Sequence, residues 1–190
     1  VAGFSILLKP NGVATFEFPH LLKLVNENQF DTIYHEHFSY LSLTALETIF
    51  KENGLQIFDV EEHTTHGGSL RLFAQRSDTG VQIVSEQVIK LRKREMDAGM
   101  DSDNFYKNFQ EKANIVKDDL LNFLIKAKQD GKKVVAYGAA AKGNTLLNYA
   151  GIRPDLLSYV VDKSPSKQGK YMPGSRIPIH TEQFLKDDKP

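Results

Sequence analysis

The sequence predicts a mixed α/β fold in two parts joined by helices, and three observations predict it. Strand-like runs bounded by turn residues fill the first part: VATFEF (13–18), LQIFDV (55–60) and SLRLFAQ (69–75). A strand, a Gly-rich turn, a helix and a second strand follow one another from 132 to 162, and such a βαβ unit builds parallel strands in an open sheet. Between the two parts, apolar residues recur at helical spacing from Val81 onward. The expected boundaries are 1–76, a helical connector at 77–131, and a smaller α/β domain at 132–190.

The elements follow in order. Residues 1–8 read as the inside of a helix that runs into the turn Lys9-Pro10-Asn11-Gly12. Both this abrupt start and the break-off after IPIHTEQFLKDDKP suggest a piece of a longer protein. The run at 13–18 is a strand that Pro19 ends. Leu21, Leu22 and Val25 give a short helix within 21–30, and TIYHEHFSYLS (32–42) reads as a loop with strand character. Thr44 and Glu47 form a capping box ahead of the apolar face Leu46, Ile49, Phe50, with Gly54 as the residue after the helix. The strands 55–60 and 69–75 pair as an antiparallel hairpin over the THGG loop. Val81, Val84, Val88 and Leu91 mark one connector helix, and EMDAGMDSDN interrupts the pattern. Phe105, Phe109, Val116, Leu120, Phe123 and Leu124 mark a longer helix that ends at Gly131.

Composition narrows the function classes. Of 190 residues, 24 are Lys or Arg and 24 are Asp or Glu, so no basic excess points to nucleic acid. There is no cysteine, which excludes disulfides and thiolate metal sites within this sequence. No apolar run approaches the roughly 18–20 residues of a membrane-spanning helix, and the first residues lack the flanks of a signal peptide. A cytoplasmic protein without a membrane partner is the expectation.

Two stretches carry chemistry. In the first, Gly138 closes an apolar strand, Gly143 follows, and Asn144 leads into a helix. A helix N-terminus presents backbone N–H groups and a partial positive charge, which suit a phosphate, and Lys142 adds a cation. The pattern is neither a Walker A loop nor a full GxGxxG, since Ala140 holds the middle position. Asp162 ends the next strand, where dinucleotide-binding folds place a ribose-binding acid. The competing reading is that small residues only let the helix pack close to the sheet.

The second stretch sets Tyr34, His35, Glu36 and His37 in a row. Three readings fit it. His35 and His37 share a face if the segment is a strand, and with Glu36 or His20 nearby they suit a metal. The side chains are otherwise only loop polar groups, as His63, His66 and His180 are expected to be. Or a histidine beside a carboxylate serves as a proton acceptor near neutral pH, with a tyrosine donating to a developing enolate oxygen.

Taken together, YHEHFSYLS, HGGSLR, YGAAAKGNTLLN and VVDKSPSKQGKYMPGSRIPI resemble, in order, motifs of the S-adenosylmethionine-dependent sugar C-methyltransferases. That family methylates C-3 of a keto-deoxysugar carried on a nucleoside diphosphate, usually dTDP. The resemblance implies that 1–76 is the C-terminal half of a class I methyltransferase domain and 132–190 a Rossmann-like domain, here cut short. It implies His37 as the base that removes the proton beside the ketone, Glu36 as the group that orients it, and Tyr34 as a hydrogen-bond donor to the sugar. Gly138, Lys142, Gly143, Asn144 and Asp162 become contacts to the nucleotide sugar. Most of the S-adenosylmethionine site, and a cysteine-rich zinc-binding N-terminal domain, would lie outside this chain, which alone is expected to be inactive. The alternatives are an NAD(P)-dependent oxidoreductase, a non-catalytic nucleotide-sugar binding module, and a metal enzyme using both histidines of the loop.

Overall fold

In the computed structural model, which describes residues 1–190, the chain divides into two units. Residues 1–29 and 38–109 form the first, and 30–37 with 110–190 the second.

Three antiparallel strands carry the first unit: β1 (Val13–Pro19), β2 (Leu55–His63) and β3 (Ser69–Arg76), in the order β1-β3-β2. Alternation sets their register, because inward residues recur every second position. Leu70, Leu72 and Ala74 of β3 are fully buried, while Arg71 between them pairs with Glu17 at 2.8 Å and Glu61 at 3.3 Å on its neighbours. Those three residues are register partners across the sheet. A register shift between Ile57 and Asp59 lets β2 run on to His63, beyond the expected end.

Helix α1 (Ala2–Leu7) precedes β1, and α2 (Leu21–Asn26) follows it. Helices α3 (Leu43–Glu52) and α4 (Glu86–Asp97) bring Leu43, Leu46, Phe50, Val88 and Leu91 onto the core side of the sheet. Two helix starts differ from expectation. Ser42, not Thr44, caps α3, its Oγ accepting from Ala45 N at 3.1 Å. The Thr44 hydroxyl donates instead to Glu95, and Glu47 pairs with Arg92. The period of Val81 and Val84 suggested helix, yet α4 begins only after Ser85, whose hydroxyl caps Val88 N.

In the second unit, helix α5 (Phe109–Gln129) precedes a parallel sheet of very short strands. These are β4 (Ala136–Tyr137), β5 (Val160–Val161) and β6 (Ile179–His180), in the order β4-β5-β6. Helix α6 (Ala141–Tyr149) makes the crossover between β4 and β5, and α7 (Glu182–Asp188) follows β6. Leu124, Ile152, Val160, Met172, Ile177 and Ile179 fill its core. The segment 162–178 has no regular strand or helix and is tied down by its own backbone: Met172 N donates to Ile177 O and Ile179 N to Lys170 O, both at 2.8 Å.

The loop with expected strand character is a loop only. Phe30–Thr32 form a single 3-10 turn, and His37 N donates to Tyr34 O at 3.0 Å, closing a further turn. The reading that put His35 and His37 on one strand face therefore loses its geometry. No helix is long and apolar enough to cross a membrane.

Candidate functional site

Within the second unit, the C-terminal ends of β4 and β5 open onto a cavity of about 480 Å³. Its wall has four sources: Tyr34, His35 and Glu36 from the loop; Ala139, Ala140, Ala141, Asn144 and Thr145 from the Gly-rich turn and first turn of α6; Ser166, Lys167 and four residues from Lys170 to Pro173 in the 162–178 segment; and Ile179 of β6. Two stretches more than a hundred residues apart in sequence thus meet at one site. This is where an open α/β sheet places ligands, beyond the carboxyl ends of its strands.

The turn is built for a close approach. Gly138 holds φ at +95°, a conformation that side chains with a Cβ resist, and its N–H donates to Val161 O at 2.7 Å. Ala140 caps α6 with no side-chain hydrogen bond, so the first-turn amides of this helix lack the usual Ser, Thr or Asp partner. A Cβ placed on Gly143 would meet no heavy atom within 4 Å, nor would one on Gly138. The close-packing reading of these glycines fails on that observation, because neither faces a neighbour it must avoid.

Asp162 holds the turn in place. Its carboxylate accepts from Ala139 N at 2.7 Å and Ser164 N at 2.8 Å, with Lys167 Nζ at 3.4 Å. The Ser164 amide above all, then the Ala139 amide and Lys167, hold its pKa below the usual carboxylate range against the opposing effect of burial. Lys167 Nζ also donates to Ala139 O at 2.7 Å. Together these bonds clamp both sides of Ala139. Asp162 is thus engaged in shaping the turn and is not itself on the cavity wall.

Of the other expected residues, Tyr34, Glu36 and Asn144 line the cavity; His37, Gly138, Lys142 and Gly143 do not. His37 packs its ring edge to face against Tyr34, with centroids 4.8 Å apart. The root of the loop is seated on α6: Phe30 is buried against Tyr149, ring centroids 5.2 Å apart. Tyr149 in turn is held by Gln110 at 2.8 Å and Asn114 at 2.5 Å.

Sequence reasoning weighed His35 only as a metal ligand and missed Ser166, Lys167, Lys170 and Tyr171, and all five are on the wall. The last four lie in SPSKQGKY, whose two lysines, serines and tyrosine were the available signal. It also missed Glu95, buried in the first unit and bonded to His20 Nε2 at 2.8 Å. No cluster of three or more His, Asp or Glu side chains is placed to hold a metal ion.

A family model described as the C-methyltransferase C-terminal domain matches residues 64–190. The chain is 38% identical over 177 residues to C-methyltransferase NovU of Streptomyces niveus, a match covering 93% of this chain and 42% of that protein. The chain therefore spans about two fifths of the length of this curated relative.

Proposed function

Because this chain belongs to the C-methyltransferase C-terminal domain family, we propose that it carries the acceptor site of an S-adenosylmethionine-dependent C-methyltransferase whose substrate is a dTDP-linked keto-deoxysugar. The observation that carries the proposal is the shared cavity: the Tyr-His-Glu loop and the first turn of α6 line the same 480 Å³ space. In this reading 132–190 is a Rossmann-like domain that cradles the diphosphate, and 1–76 supplies the last strands of a methyltransferase sheet. The hairpin β2/β3 with β1 on its far side supports the second assignment.

The roles follow from chemistry. The diphosphate lies against the first turn of α6, near Gly138, Lys142, Gly143 and Asn144, where amide hydrogens and the helix dipole favour negative charge. Lys170 on the wall adds a further cation, and Tyr171, 65% exposed, offers a flat face for a base. Asp162 keeps the turn open for the ligand through Ala139. Proton removal belongs to the loop: His37 takes the proton beside the ketone, Tyr34 donates to the oxygen as negative charge develops there, and Glu36 orients the imidazole. The Tyr34–His37 ring contact supports a base and a donor acting together on one sugar.

The methyl donor supplies an electrophilic carbon when bound. The first unit has no Gly-rich turn joining a strand to a helix of the kind that would hold it: β1 leads into α2 through Pro19 and His20. The family match disfavours an NAD(P)-dependent oxidoreductase.

The test is His37→Ala in the full-length enzyme. Methylation should fall by at least about 10²-fold, the low end for a positioned general base, while dTDP affinity stays within a few fold. Retained turnover sinks the assignment of His37.

A further inference from the structure

A carboxylate sits in the core of the first unit with no solvent contact. Glu95 is 0% exposed on the inner stripe of α4, beside Val88 and Leu91. Four donors reach it: His20 Nε2 at 2.8 Å, Leu43 N at 2.8 Å, Thr44 N at 2.8 Å and Thr44 Oγ1 at 2.6 Å. Its oxygens only accept, so His20 Nε2 carries the hydrogen of that bond.

Stability alone is a weak reason for this arrangement. Burying charge is costly, and buried polar pairs replaced by apolar side chains of similar volume often leave a protein as stable or more so. Helix capping accounts for only two of the four bonds: Glu95 takes the first two amides of α3, Leu43 N and Thr44 N, while Ser42 takes the third, Ala45 N. What the four bonds share is location. Leu43 and Thr44 are the first residues of α3, immediately after the Tyr-His-Glu-His loop. His20 grips the same place from another side: it forms a bridge with Leu41, and Leu21 N donates to Leu41 O at 3.0 Å. Leu41 lies four residues after His37.

We infer that Glu95, through His20, Leu43 and Thr44, is a positioning residue that fixes the exit of the Tyr-His-Glu-His loop, residues 38–42. The inference that this serves catalysis rests on the proposed role of His37. A neutral amide at 95 accepts fewer hydrogen bonds than a carboxylate and must present its own N–H₂ to a donor. The loop exit is then released while the apolar contacts of α4 remain.

Backbone amide exchange of this chain tests it without reference to activity. In Glu95→Gln, peptides within 33–42 should exchange about tenfold faster, and those in β2 and β3 should be unchanged. Thr44→Val, which removes one donor at a more exposed position, should show the same change at smaller size, and it decides the matter if Glu95→Gln does not fold. Faster exchange confined to 43–52, with the loop unaffected, overturns the inference and leaves Glu95 a helix-end anchor. In the full-length enzyme, kcat should fall about tenfold in Glu95→Gln with KM for the nucleotide sugar nearly constant, the mark of an interaction used in the reacting state. An unchanged kcat overturns the catalytic part. If His37→Ala itself keeps full turnover, the proposed function fails, and the exchange result still decides whether Glu95 holds the loop.

Discussion

Gly138 and Gly143 should answer substitution by alanine in opposite directions. Gly143 lies in the first turn of α6 with helical backbone, and an added Cβ would meet nothing within 4 Å. Alanine there costs no contact and narrows the unfolded ensemble, so Gly143→Ala should stabilise the chain by about 0.4–1 kcal/mol. Gly138 has the same open surroundings but a φ of +95°. Alanine there must hold a disfavoured backbone, at about 1–3 kcal/mol, so Gly138→Ala should destabilise. Urea unfolding of this chain measures both. With a slope of about 2 kcal/mol per molar, the midpoint should rise by roughly 0.2–0.5 M for Gly143→Ala and fall by roughly 0.5–1.5 M for Gly138→Ala. The ligand supplies the second readout. A methyl group in the space proposed for the diphosphate should weaken dTDP about tenfold, or 1.4 kcal/mol, even as Gly143→Ala gains stability. A clear loss of stability in Gly143→Ala would mean that the helix does pack against something there, and the close-packing explanation would return. Unchanged dTDP affinity would remove Gly143 from the site.

Further predictions follow from the same geometry. Glu95 has its carboxyl pKa lowered: desolvation opposes this, but the His20, Thr44 and Leu43 bonds outweigh it. Its contribution is therefore present above the ordinary carboxylate pKa and is lost as pH falls through the lowered one; acid unfolding of Glu95→Gln should lack that component. Tyr159 is pushed the other way, to about 12 from 10, by burial first and then by its bond to Asp188. The stability it lends is whole below pH 10 and lost between there and about 12, so in Tyr159→Phe the alkaline fall in unfolding midpoint over that range should be smaller. Asp162→Asn should loosen the turn at Ala139 and lower dTDP affinity, measured by calorimetry, with little effect on the first unit. Phe50→Ala should cost about 3–5 kcal/mol in urea unfolding, because Phe50 is 2% exposed at the centre of the first core.

Much of the fold was legible because it rests on local rules. The hairpin 55–75 has alternating apolar residues and a Gly-Gly turn, and the βαβ unit has an apolar strand, glycines and a helix in sequence. What failed were boundaries set by competition between nearby groups. Ser42 and Thr44 both suit a helix cap, and Glu47 lies correctly for the second; the choice fell to Ser42 because Glu95, 51 residues further along the chain, takes both polar hydrogens of Thr44. Nothing within a window of ten residues contains that information.

The site divides along the same line, and this explains which residues sequence reading found. Tyr34, Glu36 and Asn144 stand out by type and spacing, whereas Lys170 and Tyr171 belong to a segment without regular structure, placed on the wall only because Met172 and Ile179 bond back across it. Asp162 shows the converse. Its position at a strand end suggested a direct partner for a ribose, but the carboxylate reaches the Ala139 and Ser164 amides first. Those two amides and Lys167 Nζ take up most of the roughly four acceptor sites of the carboxylate, so a ribose hydroxyl would have to share it with the turn. Glu95 is the strongest case. On α4 it occupies a position of the apolar stripe seven residues after Val88, where an apolar side chain is expected. A charge in that place contradicts the local pattern, and sequences break local pattern at a cost that function or a distant partner must offset. The contradiction was visible in the sequence; its partners, His20 and the start of α3, were supplied only by the folded chain.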